Sequence, residues 1–298
     1  MSFSPKDHTW ALCAYGESPY LEECILSLKA QTKESRIIIS TSTPGAYIDG
    51  IAAKYGIPVY SHEGGGIGRD WNAAYDLAET ALVTIAHQDD LYEPGYTEEM
   101  LKEVNRSREP ILFFSDYDEL RVREGRTVEA GRTVGDSSLA AHGSVPPGTA
   151  PADPQVERVH DNKNLKIKRV MLTPLKGRMF RNSRVVRRRI LSIGSAICCP
   201  SVTYVKAKTG DTIFSTEMKV SLDWDQWEKQ SRKKGAFVYS PKVLMLHRVH
   251  EGSETTRLIA DHTRSQEDLE MFRRFWPEGI AKWLAARYAK SEESNGED

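Results

Sequence analysis

Two adjacent carboxylates, Asp89 and Asp90, end the apolar run "ALVTIAH" (81–87) and stand just before the turn "LYEPG". Like charges side by side at the end of a core strand repel and lose hydration unless a cation or several donors compensate them. Mg²⁺ and Mn²⁺ take hard oxygen ligands, and Mg²⁺ commonly sits on one or two carboxylates plus substrate phosphates. A dication bridging Asp90 and a diphosphate would relieve the repulsion; acids capping the next helix are the plain alternative. Farther along, Asp223 opens "LDWDQWEKQSRKKG" (222–235). A carboxylate there serves either as a general base or as a helix cap, with Asp225 as the fallback base. His247 and His250 bracket Arg248 at the end of "AFVYSPKVLMLHRVH". They lack the clustered spacing of a histidine metal site.

The elements around these residues follow from hydrophobic patterning. "HTWALCAY" (8–15), "SRIIISTS" (35–42), "IPVYSH" (57–62), "ALVTIAH" (81–87) and "EPILFFSD" (109–116) are short and apolar enough for strands. Amphipathic segments separate them at 18–32, 46–56, 69–80 and 94–107. This alternation predicts an α/β fold, Rossmann-like, with a mostly parallel sheet flanked by helices. Ligands bind such sheets off the carboxyl ends of the strands, where Asp89 and Asp90 fall. Residues 1–120 form this half. Residues 121–164 have few large apolar side chains and many Gly, Pro, Ser and charges, which predicts a mobile excursion. Residues 165–256 hold a further strand-helix-strand series. Residues 257–298 form a C-terminal helical extension and a solvated tail.

Composition excludes several classes. The 41 basic and 42 acidic residues balance, which argues against nucleic acid as a partner. Four cysteines without metal spacing suit a reduced, cytoplasmic chain. The start lacks a leader-like apolar core, and no run approaches the ~20 apolar residues that cross a bilayer, so membrane contact is at most peripheral, at the inner face. Arg178, Arg181, Arg184 and Arg188 fall near helical spacing, either as a solvated face or as a contact for anionic lipid or a lipid-linked diphosphate. "HEGGGIGRDWN" lacks the third glycine of a dinucleotide fingerprint and follows the wrong strand for one. Trp224 and Trp227 read as core residues.

In order, "AYGESPYLEECILSLKAQT", "GIGRDWNAAYDLA" and "VTIAHQDDLYEPG" resemble the family 2 glycosyltransferases of GT-A fold. "ICCPSVTYVK", "LDWDQWEKQSRKKG" and "LHRVHEGSET" continue the resemblance, which covers about residues 8–120 and 190–256. It implies an inverting, metal-dependent transfer of sugar from a nucleotide-diphosphate sugar to a glycan or lipid-linked acceptor, with Mn²⁺ or Mg²⁺ as cofactor. UDP is the first donor to expect, dTDP and GDP the alternatives. Ala14, Tyr15 and Glu17 would line the nucleotide pocket. Asp89 would contact ribose or donor sugar, Asp90 would hold the metal, and Asp223 would be the base. Arg248, His250 and Ser253 would close over the diphosphate, with His250 a further metal ligand.

Three positions depart from the family pattern. Ser40 and Thr41 stand where two acids are usual, leaving the Thr41 hydroxyl to read the base. His87 replaces the first acid of the metal motif. In the donor loop "Asp70-Trp71-Asn72", Asn72 matches, Trp71 replaces an arginine, and Asp70 can grip a sugar hydroxyl. The rival readings are a nucleotidyltransferase that makes a nucleotide sugar, a catalytically silent nucleotide- or carbohydrate-binding module, and a metal-dependent hydrolase. The first would carry a glycine-rich basic signature after the first strand, which "CAYGESPY" lacks.

Overall fold

The computed structural model describes residues 2–123, 155–250 and 263–293. In chain order its strands are β1 (His8–Ala14), β2 (Arg36–Thr41), β3 (Val59–Ser61), β4 (Leu82–His87), β5 (Leu91–Tyr92), β6 (Pro110–Arg123), β7 (Gln155–Val159), β8 (Val202–Val205) and β9 (Ala236–Val249). The helices are α1 (Leu21–Lys29), α2 (Ala46–Tyr55), α3 (Ile67–Leu77), α4 (Tyr96–Arg106), α5 (Lys163–Leu172), α6 (Arg178–Arg181), α7 (Arg184–Leu191), α8 (Lys206–Thr209), α9 (Leu222–Ser231), α10 (Thr263–Arg273) and α11 (Glu278–Glu293).

One sheet runs β3-β2-β1-β4-β8-β6-β9-β5, with β7 paired to β6. Its first half is parallel, as the alternation of strands and helices required. Its second half is mixed. β8 lies antiparallel between β4 and β6, β6 and β9 run parallel, and β5 turns back against β9. Alternate residues of β1 feed two cores: Trp10, Leu12 and Ala14 face the layer of α1 and α4, and Ala11 faces the layer of α3 and α9. Both faces are thus covered, so the strands read as nearly continuous apolar runs. The C-terminal helices join the second layer, with Met271, Phe272 and Ala281 fully buried there.

Part of the segment expected as an excursion is built into the fold. β7 pairs antiparallel with the far end of β6, Glu119 opposite Val159. Arg169 on α5 holds this hairpin down, bonding Asp116 (2.8 Å) and Asp118 (3.0 Å). The sequence of 155–164 is polar because its partners are charges, which hydrophobic patterning does not register. Residues 124–154 lie outside the described residues.

Register decides what the strand ends bring together. Cys13 at the end of β1 lies opposite both Ser40 of β2 and His87 of β4, so three strand-end loops emerge level. Leu91 of β5 pairs with Leu246 of β9. In an antiparallel ladder that sets Asp90, one residue earlier, beside His247, one residue later.

Candidate active site

The strand-end loops are tied to one another by their own polar groups. The Gln88 side chain clamps Tyr15, accepting from its backbone N–H (2.9 Å) and donating to its carbonyl (2.9 Å). The Gly16 N–H donates to Thr43 Oγ1 (2.7 Å). The Tyr15 ring and Glu17 stay exposed in this loop, while Ala14 is buried and adds only backbone to the rim.

The two aspartates have different surroundings. Asp89 accepts a hydrogen bond from Ser18 Oγ (2.9 Å), and its other oxygen lies 3.3 Å from His250 Nε2. Its side chain is 27% exposed, against 1% for Asp90. Asp90 Oδ1 accepts from His247 Nδ1 (3.0 Å) and from the Arg248 backbone N–H (2.9 Å). Its Oδ2 is buried without a hydrogen bond, 3.9 Å from His87 Nδ1. Burial opposes its charge, yet the histidines hold its carboxyl below the usual carboxylate range. Burial likewise works against a charged His247, but Asp90 keeps the ring's pKa above its ordinary value. The resemblance put the metal on Asp90 and the sugar on Asp89. In this structure Asp90 anchors the end of β9 through Oδ1, and Asp89 is the more exposed of the two carboxylates.

Arg248 is held inside the loop. Its guanidinium donates to the Asp89 carbonyl (2.8 Å) and to Glu23 (2.6 Å) and lies 4.3 Å from the Tyr20 ring centre. At 3% exposure it braces the loop from within. Ser253, its expected companion, lies outside the described residues.

Asn72 and Thr41 are both buried. Asn72 faces the protein interior, donating to the Phe214 carbonyl (2.9 Å) and accepting from its N–H (2.8 Å). It thereby pins the segment before α9. Thr41 is buried too, and its hydroxyl accepts from the Thr43 N–H (3.0 Å). Ser42 and Thr43, half-buried beyond it, are the hydroxyls that line the end of β2. Trp71, in place of the usual arginine, stacks on His87 with ring centres 5.0 Å apart. Asp70 is half-buried: Ser42 donates to one oxygen (3.2 Å), and the other is buried without a hydrogen bond. Burial raises its pKa. The glycines before it serve the turn into α3, Gly65 and Gly66 having φ of 136° and 106°. Gly68 lets α3 approach the Phe214 segment, since a Cβ there would sit 2.1 Å from the Ser215 carbonyl oxygen.

Asp223 lies in the first turn of α9, where Trp224 N–H donates to Oδ1 (2.6 Å) and Ser195 Oγ to Oδ2 (3.4 Å). Burial raises its pKa, with Lys168 and Arg264 as nearby cations that pull the other way. Asp225, the fallback, is 1% exposed and ion-paired with Arg274 (2.5 Å) and Lys229 (2.6 Å), which makes it a tie between α9 and α10. Trp224 and Trp227 are core residues, with no face left for a sugar. Burial, and then the Asp90 and Asp223 carboxylates, push the Cys198 thiol pKa up. Lys168, on α5, donates to the Tyr117 hydroxyl (2.8 Å), and its charge acts on both Asp223 and His247. Sequence reasoning passed over Lys168 and Ser195. No motif marks them, because they reach the site only through the packing of α5 and of the segment before β8.

The donor set suits a divalent ion only in part. Neighbouring ligands on an ion with bonds of about 2.1 Å lie about 3 Å apart, close to the Asp89–His250 separation. Among the described residues no group of three or more His, Cys, Asp or Glu side chains is arranged to hold a metal. Were Asp89 and His250 to hold an ion, a diphosphate would have to supply further ligands.

Residues 9–127 match the family described as "Glycosyl transferase family 2". No curated protein matches the sequence significantly. Among solved structures, the chain is similar to S. aureus TarS 1-349 in complex with UDP-GlcNAc, with TM-score 0.54 and 17% identity over 94% of this chain and 71% of that one. It is also similar to the mannosyltransferase PcManGT from Pyrobaculum calidifontis in complex with GDP-Man and Mn²⁺, with TM-score 0.52 and 13% identity over 96% and 70%. At such identities the likeness is one of fold.

Proposed function

We propose that this chain, a family 2 glycosyltransferase of GT-A fold, moves a sugar from a nucleotide-diphosphate donor to an acceptor hydroxyl with inversion at the anomeric carbon. The observation that carries this reading is a pair of held carboxylates, Asp90 fixed by His247 and the Arg248 N–H, and Asp223 fixed by Ser195 and the Trp224 N–H. Asp90, buried and held below the usual carboxylate range, secures the donor-side loop; Asp223, raised by burial, suits a group that must take up a proton.

In this reading the loops after β1 and β2 hold the nucleotide, with Tyr15, Glu17, Ser42 and Thr43 at its rim. Asp70 takes a donor sugar hydroxyl through the buried oxygen that has no hydrogen bond. Asp89 and His250 are the pair that would hold Mn²⁺ or Mg²⁺, whose charge would favour departure of the diphosphate. Asp223 accepts the proton of the acceptor hydroxyl as that oxygen attacks. The Ser195 hydroxyl and the Trp224 N–H fix the carboxylate's orientation. Lys168 keeps Asp223 ionisable despite its burial. The acceptor hydroxyl belongs to a glycan or a lipid-linked saccharide.

The test is thermal unfolding with UDP, GDP, dTDP and CDP, each with and without Mn²⁺. A ligand that binds only the folded chain raises its melting temperature. One nucleotide diphosphate should stabilise the protein more with Mn²⁺ than without, and Asp89→Asn should remove the Mn²⁺-dependent part. No stabilisation by any of the four overturns the reading.

A further inference from the structure

We infer that α5, the 3-10 turn Thr173–Lys176, α6 and α7 together form a docking face for an anionic lipid bilayer. These elements are contiguous, since α5 and α6 both pack on the turn and α6 packs on α7. From residue 162 to 210 the chain has no Asp or Glu, while 163–189 holds eleven Lys and Arg. The fold uses five of these. Lys168 bonds Tyr117, Arg169 bonds Asp116 and Asp118, and Arg181 bonds Glu103. Arg187 donates to the carbonyls of Lys233 and Gly235, and Arg188 pairs with Glu228. The other six, Lys163, Lys166, Lys176, Arg178, Arg184 and Arg189, are exposed, with Lys166 3.8 Å from Asp161 and Arg189 over the Trp276 ring.

Large apolar side chains are exposed among these cations. Of twelve exposed large hydrophobics among the described residues, six fall between 167 and 193. Val185 is 78% exposed, Met179 77% and Val170 71%; Ile167, Phe180 and Ile193 are the others. The placement follows helix periodicity. Lys163, Ile167 and Val170 lie at i, i+4 and i+7 on α5, away from buried Leu165 and Leu172. On α7, Val185 and Arg189 lie at i and i+4, away from buried Arg187, Ile190 and Leu191.

A face meant only for water has no reason to present Met, Val and Ile together. A nucleic acid would use the cations and leave the apolar side chains idle. Apolar residues among exposed Lys and Arg match the acyl boundary and headgroups of anionic lipid. Among the described residues no helix is long and apolar enough to cross a membrane, so this contact lies on the surface. The inner side of α5 carries Lys168 to Tyr117 and the field of Asp223. The face therefore borders the candidate base, and the acceptor class it fits is a saccharide on a lipid anchor; that last step rests on the transferase reading.

The experiment is sedimentation of the full chain with vesicles of phosphatidylcholine alone and with one third phosphatidylglycerol, in the absence of nucleotide. It thus stands apart from any failure of the transferase reading. Binding should appear with phosphatidylglycerol, fall as salt rises, and drop about tenfold or more in the double variant Met179→Glu, Val185→Glu. Both side chains are exposed, so the variant should melt as the parent does. The inference is overturned if neither vesicle binds, or if the folded variant binds as well as the parent. It is also overturned if light scattering shows a dimer that the variant disperses while vesicles bind neither protein; the face would then belong to a second copy.

Discussion

Arg248 tests the assignment of roles in the donor loop most directly. In Arg248→Met the apolar stem is kept and the guanidinium is lost. The Asp89 carbonyl then loses a charge-assisted donor, worth about 1.5–3 kcal/mol where the site is buried. The contact over Tyr20 contributes about 0.5–2 kcal/mol. The Glu23 pair adds less, since that carboxylate is 55% exposed and water replaces the arginine there. A net loss of about 2–4 kcal/mol is expected, which at about 2 °C per kcal/mol for a chain of this size lowers Tm by about 4–8 °C. Arg248→Lys should fall between, because an ammonium cannot serve two acceptors in a fork. The assay is thermal unfolding of the apo protein beside calorimetric titration with the stabilising nucleotide diphosphate. If Arg248→Met melts within about 1 °C of the parent yet binds the nucleotide tenfold more weakly, the brace is wrong and Arg248 is a diphosphate ligand.

Three further perturbations follow from the same geometry. Asp223→Asn should lower the transfer rate by about 10²–10⁴-fold at unchanged nucleotide affinity; its melting temperature at pH 7 should match or exceed the parent's, because burial disfavours the native charge. In the parent, the rate should fall with decreasing pH at a midpoint above the ordinary carboxylate range, and a limb centred below 4 would remove Asp223 as base. Asn72→Ala should destabilise by about 2–4 kcal/mol in urea unfolding, since both Phe214 backbone groups lose buried partners, whereas a loss of donor binding at full stability would return Asn72 to the site. His8 is buried between Ser35 and Thr84, and burial pushes its pKa down to about 3 from 6.5. Above 6.5 the ring is neutral folded or unfolded; as pH falls towards 3 only the unfolded chain takes the proton, so stability falls by up to about 1.4 kcal/mol per pH unit. His8→Gln should flatten that slope between pH 6.5 and 5, whatever its effect at pH 7.

The fold was readable where its information is local. The apolar runs of β1, β2 and β4 and the amphipathic periods of α1, α3 and α4 announce themselves within a dozen residues. Asp89, Asp90 and Asp223 stood out because carboxylates at strand and helix ends need a reason. β7 was missed because its residues pair with charges on β6, and charge complementarity between segments some 40 residues apart leaves no periodic trace.

The sequence alone determined the α/β alternation and which acids deserve chemistry, since strand and helix periods are properties of neighbouring residues. Only the tertiary structure decided which of those acids are buried and which stay exposed. The Leu91–Leu246 register buries Asp90 against His247 and turns Arg248 inward onto Glu23, leaving Asp89 beside His250. Burial and charge compensation depend on groups more than 150 residues apart, and a carboxylate's role follows from its desolvation and its donors, which no spacing along the chain encodes.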